Sequence, residues 1–234
     1  MTRKHTLVIA AGVSVVLAAG WISSASKNPR PQEISESEKR GTFRQQVARA
    51  KSNGAKKIQM TGLVVMYEQV RPLDGILDRY DLVLAQPVEV RGYVGEHDSI
   101  TSWYRLKILE TISRAPDPPT LPFDPPAEFS PVADDELLLS KSGGTVTVDG
   151  VEVTLEEHNF PALSLSKQYL LFLRADRVRK VASADLGPTG ALMISDEGFL
   201  ESVGGSPSLK REVEKRYGKS LGEIKRKIGG GGVP

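Results

Sequence analysis

Asp81-Leu-Val-Leu-Ala-Gln-Pro-Val-Glu-Val-Arg91 and Trp103-Tyr-Arg-Leu-Lys-Ile-Leu-Glu-Thr-Ile112 are the stretches whose reading decides the fold. In the first, Leu82, Leu84, Val88 and Val90 recur at every second position, broken only by Gln86, while Asp81, Glu89 and Arg91 fall between them. In the second, Tyr104, Leu106, Ile108 and Ile112 alternate with Arg105, Lys107 and Thr111. A period of two places alternate side chains on opposite faces of a pleated strand, so both stretches read as strands with one buried face. Gly92 to Ser99 separates them as a turn, which makes them a hairpin. Pro87 lacks an N–H for a ladder and predicts an edge position, a bulge or a bend.

Further strands follow towards the C-terminus. Thr145-Val-Thr-Val148 and Val151-Glu-Val-Thr-Leu155 flank Asp149-Gly150, a pair that suits the left-handed turn of a two-residue hairpin. Gln168-Tyr-Leu-Leu-Phe-Leu173 is apolar throughout and reads as a strand covered on both faces. Shorter candidates lie at 178–184 and 191–194, around the turn 187–190, and an earlier one at 58–67. Helical spacing is confined to 35–50, 73–79 and two short segments of 208–228, the second capped by Ser220 with Glu223 three residues on. Ser208 is the candidate cap of the first.

Strands without interleaved long helices predict a mainly β chain, a small OB-like or related antiparallel barrel with peripheral helices. The expected organisation is a signal peptide or anchor over 1–26, a polar linker and short helix over 27–56 and the barrel over 57–200. A helical segment over 201–228 and a disordered tail over 229–234 complete it. Within the barrel, 114–131 holds seven prolines, which forbids a central strand and predicts an extended loop clamped against the domain. Such a segment is also the kind that aromatic-lined grooves bind.

The order Tyr80-Asp81-Leu-Val-Leu-Ala-Gln86-Pro-Val-Glu-Val90, Trp103 to Ile112, Gly143-Gly144, Phe160-Pro161 and Gln168-Tyr169-Leu-Leu-Phe-Leu173 resembles exported bacterial proteins that are poorly characterised. Their layout is similar to the OB-like barrel of the netrin and tissue-inhibitor-of-metalloproteinase modules. The resemblance covers roughly residues 57–200 and implies a barrel without a settled activity. The chain departs from the pattern at 114–131, and with no cysteine the metal-directed N-terminal amine of those inhibitors cannot be transferred.

The N-terminus bears on location. Arg3, Lys4 and His5 precede Leu7 to Ile22, an almost unbroken apolar run, too short for an ordinary spanning helix of about 20 residues and suited to a secretory signal. Ser24-Ala25-Ser26 offers a cleavage site; with Trp21 at the interface the segment would instead stay as an anchor. A buried N-terminal helix of a cytoplasmic protein is the remaining alternative. The expected location is therefore across the cytoplasmic membrane: periplasmic, extracellular or anchored facing outward, with membrane contact only through residues 7–22 if these are retained. Lacking cysteine, the chain has no disulfides, thiolate chemistry or lipidated thiol.

Lys and Arg number 31 against 29 Asp and Glu, a balance that gives no footprint for nucleic acid, so no nucleic-acid partner is expected. No catalytic constellation stands out: there is no Gly-x-Ser-x-Gly elbow, no phosphate-binding glycine loop and no metal-ligand spacing, so no cofactor or metal is expected. His97, between Glu96 and Asp98, and His158, after Glu156-Glu157, are the histidines nearest to acids. Tyr93, Trp103, Tyr104 and Arg105 are the candidate ligand or partner platform, the residue types that stack on planar ligands, and are equally ordinary cross-strand material. The functional expectation is an exported non-enzymatic domain that binds a protein or an envelope polymer. A structural accessory of a membrane complex and a hydrolase with a site near His97 or His158 are the alternatives.

Overall fold

The computed structural model describes residues 14–17, 43–63, 67, 72–95, 99–157, 159–204 and 207–230. Most of the proposed signal segment, residues 27–42 of the linker-and-helix segment 27–56, His97, His158 and the last four residues lie outside these. The chain divides into two compact units, one of 1–66, 91–102 and 142–158, the other of 67–90, 103–141 and 159–234.

In the first unit β1 (Ser14–Leu17) runs antiparallel to β2 (Lys57–Leu63), which is parallel to β7 (Val151–Glu157); β6 (Gly144–Val148) closes the sheet against β7. Helix α1 (Phe43–Ser52) buries Phe43, Val47 and Ala50, which join Ile58, Met60, Val146, Val151 and Val153 in one core. The β6–β7 turn has Asp149 at φ 51° and Gly150 at φ 82°, the left-handed pair that matches the twist of a two-residue hairpin. Gly144, at φ 130°, lies so close to Ser102 that a Cβ would fall 1.9 Å from its Oγ, and at Gly143, φ 78°, a Cβ would fall 2.8 Å from the Leu155 carbonyl oxygen, so each glycine of the pair has its own reason.

The second unit is a mainly β domain built on a closed five-stranded barrel. β3 (Asp81–Val94), β4 (Ile100–Ser113), β5 (Glu136–Ser142), β8 (Tyr169–Asp176) and β9 (Val181–Ser183) follow in the ring order β8-β3-β4-β5-β9 and back to β8. All pairings whose direction is established are antiparallel except β5–β9. On the side of β8 away from β3, residues 169–171 pair with β10 (Ala191–Ile194) and 174–176 with β9, so one strand serves both the ring and an extension that ends in β11 (Leu200–Ser202). This is the OB-like architecture.

The barrel carries a core on each side of β3 and β8. Val83, Ala85, Tyr104, Leu106, Leu139, Leu171 and Leu173 fill the lumen. Leu82, Leu84, Leu170 and Phe172 point outward beneath α2 (Leu73–Leu77), α3 (Ser208–Tyr217) and α4 (Leu221–Gly230), which contribute Leu73, Ile76, Leu209, Val213 and Ile224. The alternation of the first strand is thereby corrected. Its even-numbered positions form the outer face and are buried only as far as the helices reach, so Val88 and Val90 stand 42% and 41% exposed. Pro87 lies two residues past Ala85, the last β3 residue paired with β8, where no ladder partner asks for its N–H. β3 is central in the sheet as a whole, but at Pro87 its side towards β8 is already unpaired, so the proline stands at a local edge.

Helix α4 begins with a reciprocal capping box, the Glu223 N–H donating to Ser220 Oγ at 3.3 Å and the Ser220 N–H to Glu223 Oε2 at 3.2 Å. Pro207 rather than Ser208 precedes α3, and no side chain caps it. Burial of Leu209 and Val213, about 1.5–3 kcal/mol each, outweighs the missing cap, worth about 1 kcal/mol. Among the described residues no helix is long and apolar enough to cross a membrane.

Candidate functional site

Three surfaces of the barrel are covered by the chain itself. The helices take the outside of β3 and β8. The segment 114–135 takes the outside of β4, for a reason rooted in its composition. Prolines carry carbonyls but no N–H, so the loop holds an excess of acceptors that must find donors elsewhere. Four cations supply them. Arg177 donates to the Ala115 carbonyl at 2.7 Å and bidentately to Asp81, which also accepts the Ala115 N–H at 2.8 Å. Arg179 reaches the carbonyls of Leu121 and Phe123 and the carboxylates of Asp124 and Asp176. Lys180 donates to the carbonyls of Val132 and Ala133 and to Asp134. Arg105 donates to the carbonyls of Phe129 and Pro131, at 2.8 and 3.1 Å, and to Glu89 and Glu136.

These ion pairs set the titration of the clamp. The Glu136 carboxyl is held below its ordinary value, first by the Ala133 N–H and then, against the effect of burial, by Arg105. Burial would push Asp176 up, yet the N–H groups of Arg179 and Leu121 and the Arg179 guanidinium outweigh it and hold it low. Arg177 is raised by its hydrogen bonds to Asp81, and Arg105 by those to Glu136 and Glu89.

One end of the lumen is plugged. Phe160 and Leu163, 1% and 4% exposed, enter beside Tyr104 and Tyr169, whose hydroxyls accept the N–H groups of Leu163 and Ser164. The Phe160 ring meets Tyr67 edge-on at 6.1 Å, and Lys141 Nζ lies 4.6 Å from its centre. Burial pushes the Lys141 ammonium down to about 8.

The opposite end is open. A recess of about 420 Å³ is floored by Val83, Leu137 and Ala175 from the lumen core and by Ile108. Around it stand the carboxylates of Asp81, Glu110, Asp134, Asp135 and Glu136 against the cations Arg114, Arg177 and Lys180. Asp81, Asp134 and Glu136 are engaged with Arg177, Lys180 and Arg105. Among the described residues Glu110 is ion-paired with Lys225 at 3.7 Å, and the side chains of Asp135 and Arg114 have no partner. The volume suits a small ligand or one side chain of a larger one. No group of three or more His, Cys, Asp and Glu suited to a metal ion occurs among the described residues.

The residues singled out in the sequence are placed as follows. Trp103 is 6% exposed and meets the Phe123 ring edge-on at 5.7 Å, so the loop sits where a planar ligand would stack. Tyr104 is inside the lumen, and the Arg105 guanidinium lies 5.5 Å from the centre of the Phe129 ring. Tyr93 is half-buried on β3 in the other unit. Trp103 and Arg105 are thus brought together by the loop, whereas Tyr104 points away from them. His97 and His158 lie outside the described residues.

The residues that sequence reasoning missed are Asp81, Arg177, Arg179 and Lys180 as loop anchors, and Glu110, Arg114 and Asp135 at the open end. One signal was available: the basic run Arg177-Val-Arg-Lys180 sits in a tight turn, and an acceptor-rich proline loop requires such donors. Comparison of the chain with protein-family models, with curated proteins and with solved structures found no match.

Proposed function

We propose that this chain is an exported, non-enzymatic binding domain whose recognition site is the open end of the barrel. The observation that carries the reading is the 420 Å³ recess left at one end of a lumen whose other end is plugged by Phe160 and Leu163. Most charges around it are already engaged in internal pairs, an arrangement that offers a shaped, polar surface for recognition. The acidic excess of the rim favours a protein or envelope polymer over nucleic acid as the partner. Export rests on the apolar run Leu7–Ile22 behind Arg3 and Lys4, and the resemblance to exported barrel proteins belongs to the same reading.

Two measurements test it. Alkaline phosphatase fused after Pro234 becomes active only where its disulfides form; activity in intact cells is the expected result, and an inactive but stable fusion overturns export. Purified envelope material and chemically cross-linked protein partners are then compared for the wild type and Leu109→Trp, which narrows the recess mouth from a 39%-exposed position. Loss of association with the partner chemically unchanged is expected. Turnover of the partner, or association indifferent to Leu109→Trp, overturns the reading.

A further inference from the structure

We infer that the outer edge of β2 pairs with the β2 edge of a second copy of this chain, and that export is what uncovers it. The inference rests on the export reading and is independent of the recess. In the folded chain the edge is covered, because β1 runs antiparallel along residues 58–61. The four residues of β1, Ser14–Leu17, lie in the middle of the apolar run 7–22. Export either removes that run by cleavage at Ser24-Ala25-Ser26 or holds it in the membrane as an anchor. The same residues cannot lie in a membrane and in this sheet at once. Both outcomes therefore take β1 away and leave β2 as the outermost strand beside β7 and β6. An open edge presents unpaired N–H and C=O groups, a template for a further strand.

The register of the remaining sheet identifies those groups. The Glu152 N–H donates to the Lys56 carbonyl at 2.9 Å, and Glu152 lies opposite Lys57 in the parallel β2–β7 pair. Backbone groups of successive residues point to opposite sides of a strand, so 56, 58 and 60 bond towards β7, while Lys57, Gln59 and Thr61 present theirs to the free edge. The regular ladder ends at Thr61, where the register shifts before Leu63, so Gln59 is the centre of the regular stretch 57–61. Two copies paired antiparallel about Gln59 set Gln59 opposite Gln59 and Lys57 opposite Thr61, and every outward residue then exchanges both its bonds with the other copy. The same register sets Ile58 of each copy opposite Met60 of the other. These are the β2 residues of the apolar core, so each gains an apolar cross-strand neighbour. On the other face Lys57 is paired with its own Glu152 at 2.9 Å and Gln59 is uncharged, so no like charges meet across the axis. A two-fold contact requires a surface complementary to itself, and this edge is one, which selects a second copy over an unrelated strand.

The test exploits a chain without cysteine. The exported protein is isolated as the wild type and as Gln59→Cys and Lys57→Cys, its start is fixed by intact mass, and its association is followed by sedimentation velocity and oxidative cross-linking, in mild detergent where residues 7–22 are retained. The exported wild type is expected to sediment as a dimer, and the full chain refolded with 14–17 in place as a monomer. Opposite residues of a bonded antiparallel pair have Cα atoms about 5.5 Å apart, within reach of a disulfide, so Gln59→Cys should cross-link to itself. Lys57→Cys should not, because its two copies are displaced by about 13 Å along the strands. Gln59→Lys sets like charges opposite each other from a half-buried position and should weaken the dimer about fivefold; it serves as the second variant should the cysteine variants fold poorly. An inactive phosphatase fusion overturns export, and the inference with it. A monomeric exported protein despite an active fusion, association of both forms alike, or equal cross-linking of the two cysteine variants overturns the inference alone.

Discussion

The β6–β7 hairpin and the segment 114–135 are both connections between antiparallel neighbours, and they hold their shapes by opposite means. The hairpin turns on two residues, Asp149 and Gly150, whose left-handed backbone is available to them and closes the register locally, Val148 opposite Val151. Among the described residues the loop's local hydrogen bonds are confined to a single turn at Ala127–Phe129 and to the Ala133–Glu136 pair at its end. Its form is imposed by Arg177, Arg179 and Lys180 from a turn about 50–60 residues later and by Arg105 from the strand beneath. A short turn with a few favourable φ values needs nothing beyond itself, whereas a proline-rich segment with surplus carbonyls is defined by whoever donates to them.

The largest effect expected from breaking this contrast is at Arg105. Arg105→Met strips donors from two loop carbonyls and leaves Glu136 without its guanidinium, so a loss of about 3 kcal/mol is expected, read by urea unfolding. Proteolysis should then begin within 116–135, whereas a hairpin-first nick would reverse the comparison. Next is Glu157, at the end of β7, which burial pushes up to about 8. A raised carboxyl means that the folded state binds the proton more tightly, so stability is expected to fall as pH rises from about 4.5 to 8, by up to about 1.4 kcal/mol per pH unit. Thermal unfolding of Glu157→Gln across that range should lose the slope; an unchanged slope assigns it elsewhere.

A smaller loss, about 1 kcal/mol, is expected for Gly150→Ala, since the position has open space but sits at φ 82°. That cost should appear in equilibrium unfolding and leave protease sensitivity of the loop unchanged, which separates the two connections. Val178→Thr should move stability by less than about 0.5 kcal/mol, because Val178 is 93% exposed at the tip of the turn that carries the clamping cations. A larger change there would mean that the tip itself, and not only its charged neighbours, orders the loop.

Pattern alone reached the mainly β class and the barrel, because period-two alternation and turn chemistry are local properties of neighbouring residues. The Ser220–Glu223 box and the Asp149-Gly150 turn were legible for the same reason. What alternation could not reveal was which face is the lumen: Leu82 and Leu84 lie outside the barrel and Val83 and Ala85 inside, a distinction made by α2 just before the strand together with α3 and α4 more than 100 residues further on. The platform suggested by Trp103 and Arg105 met the same limit, since both residues are covered by Phe123 and Phe129 of a loop whose path depends on distant cations. The open recess was illegible altogether. Its floor and rim come from β3, β4, β5, β8, the β8–β9 turn and both ends of the segment 114–135, and only closure of the ring makes them neighbours. Local sequence therefore determined the elements and their turns, whose energetics involve residues a few positions apart, while tertiary structure alone decided inside from outside and which charges stay unengaged, because both depend on contacts between residues far apart in the chain.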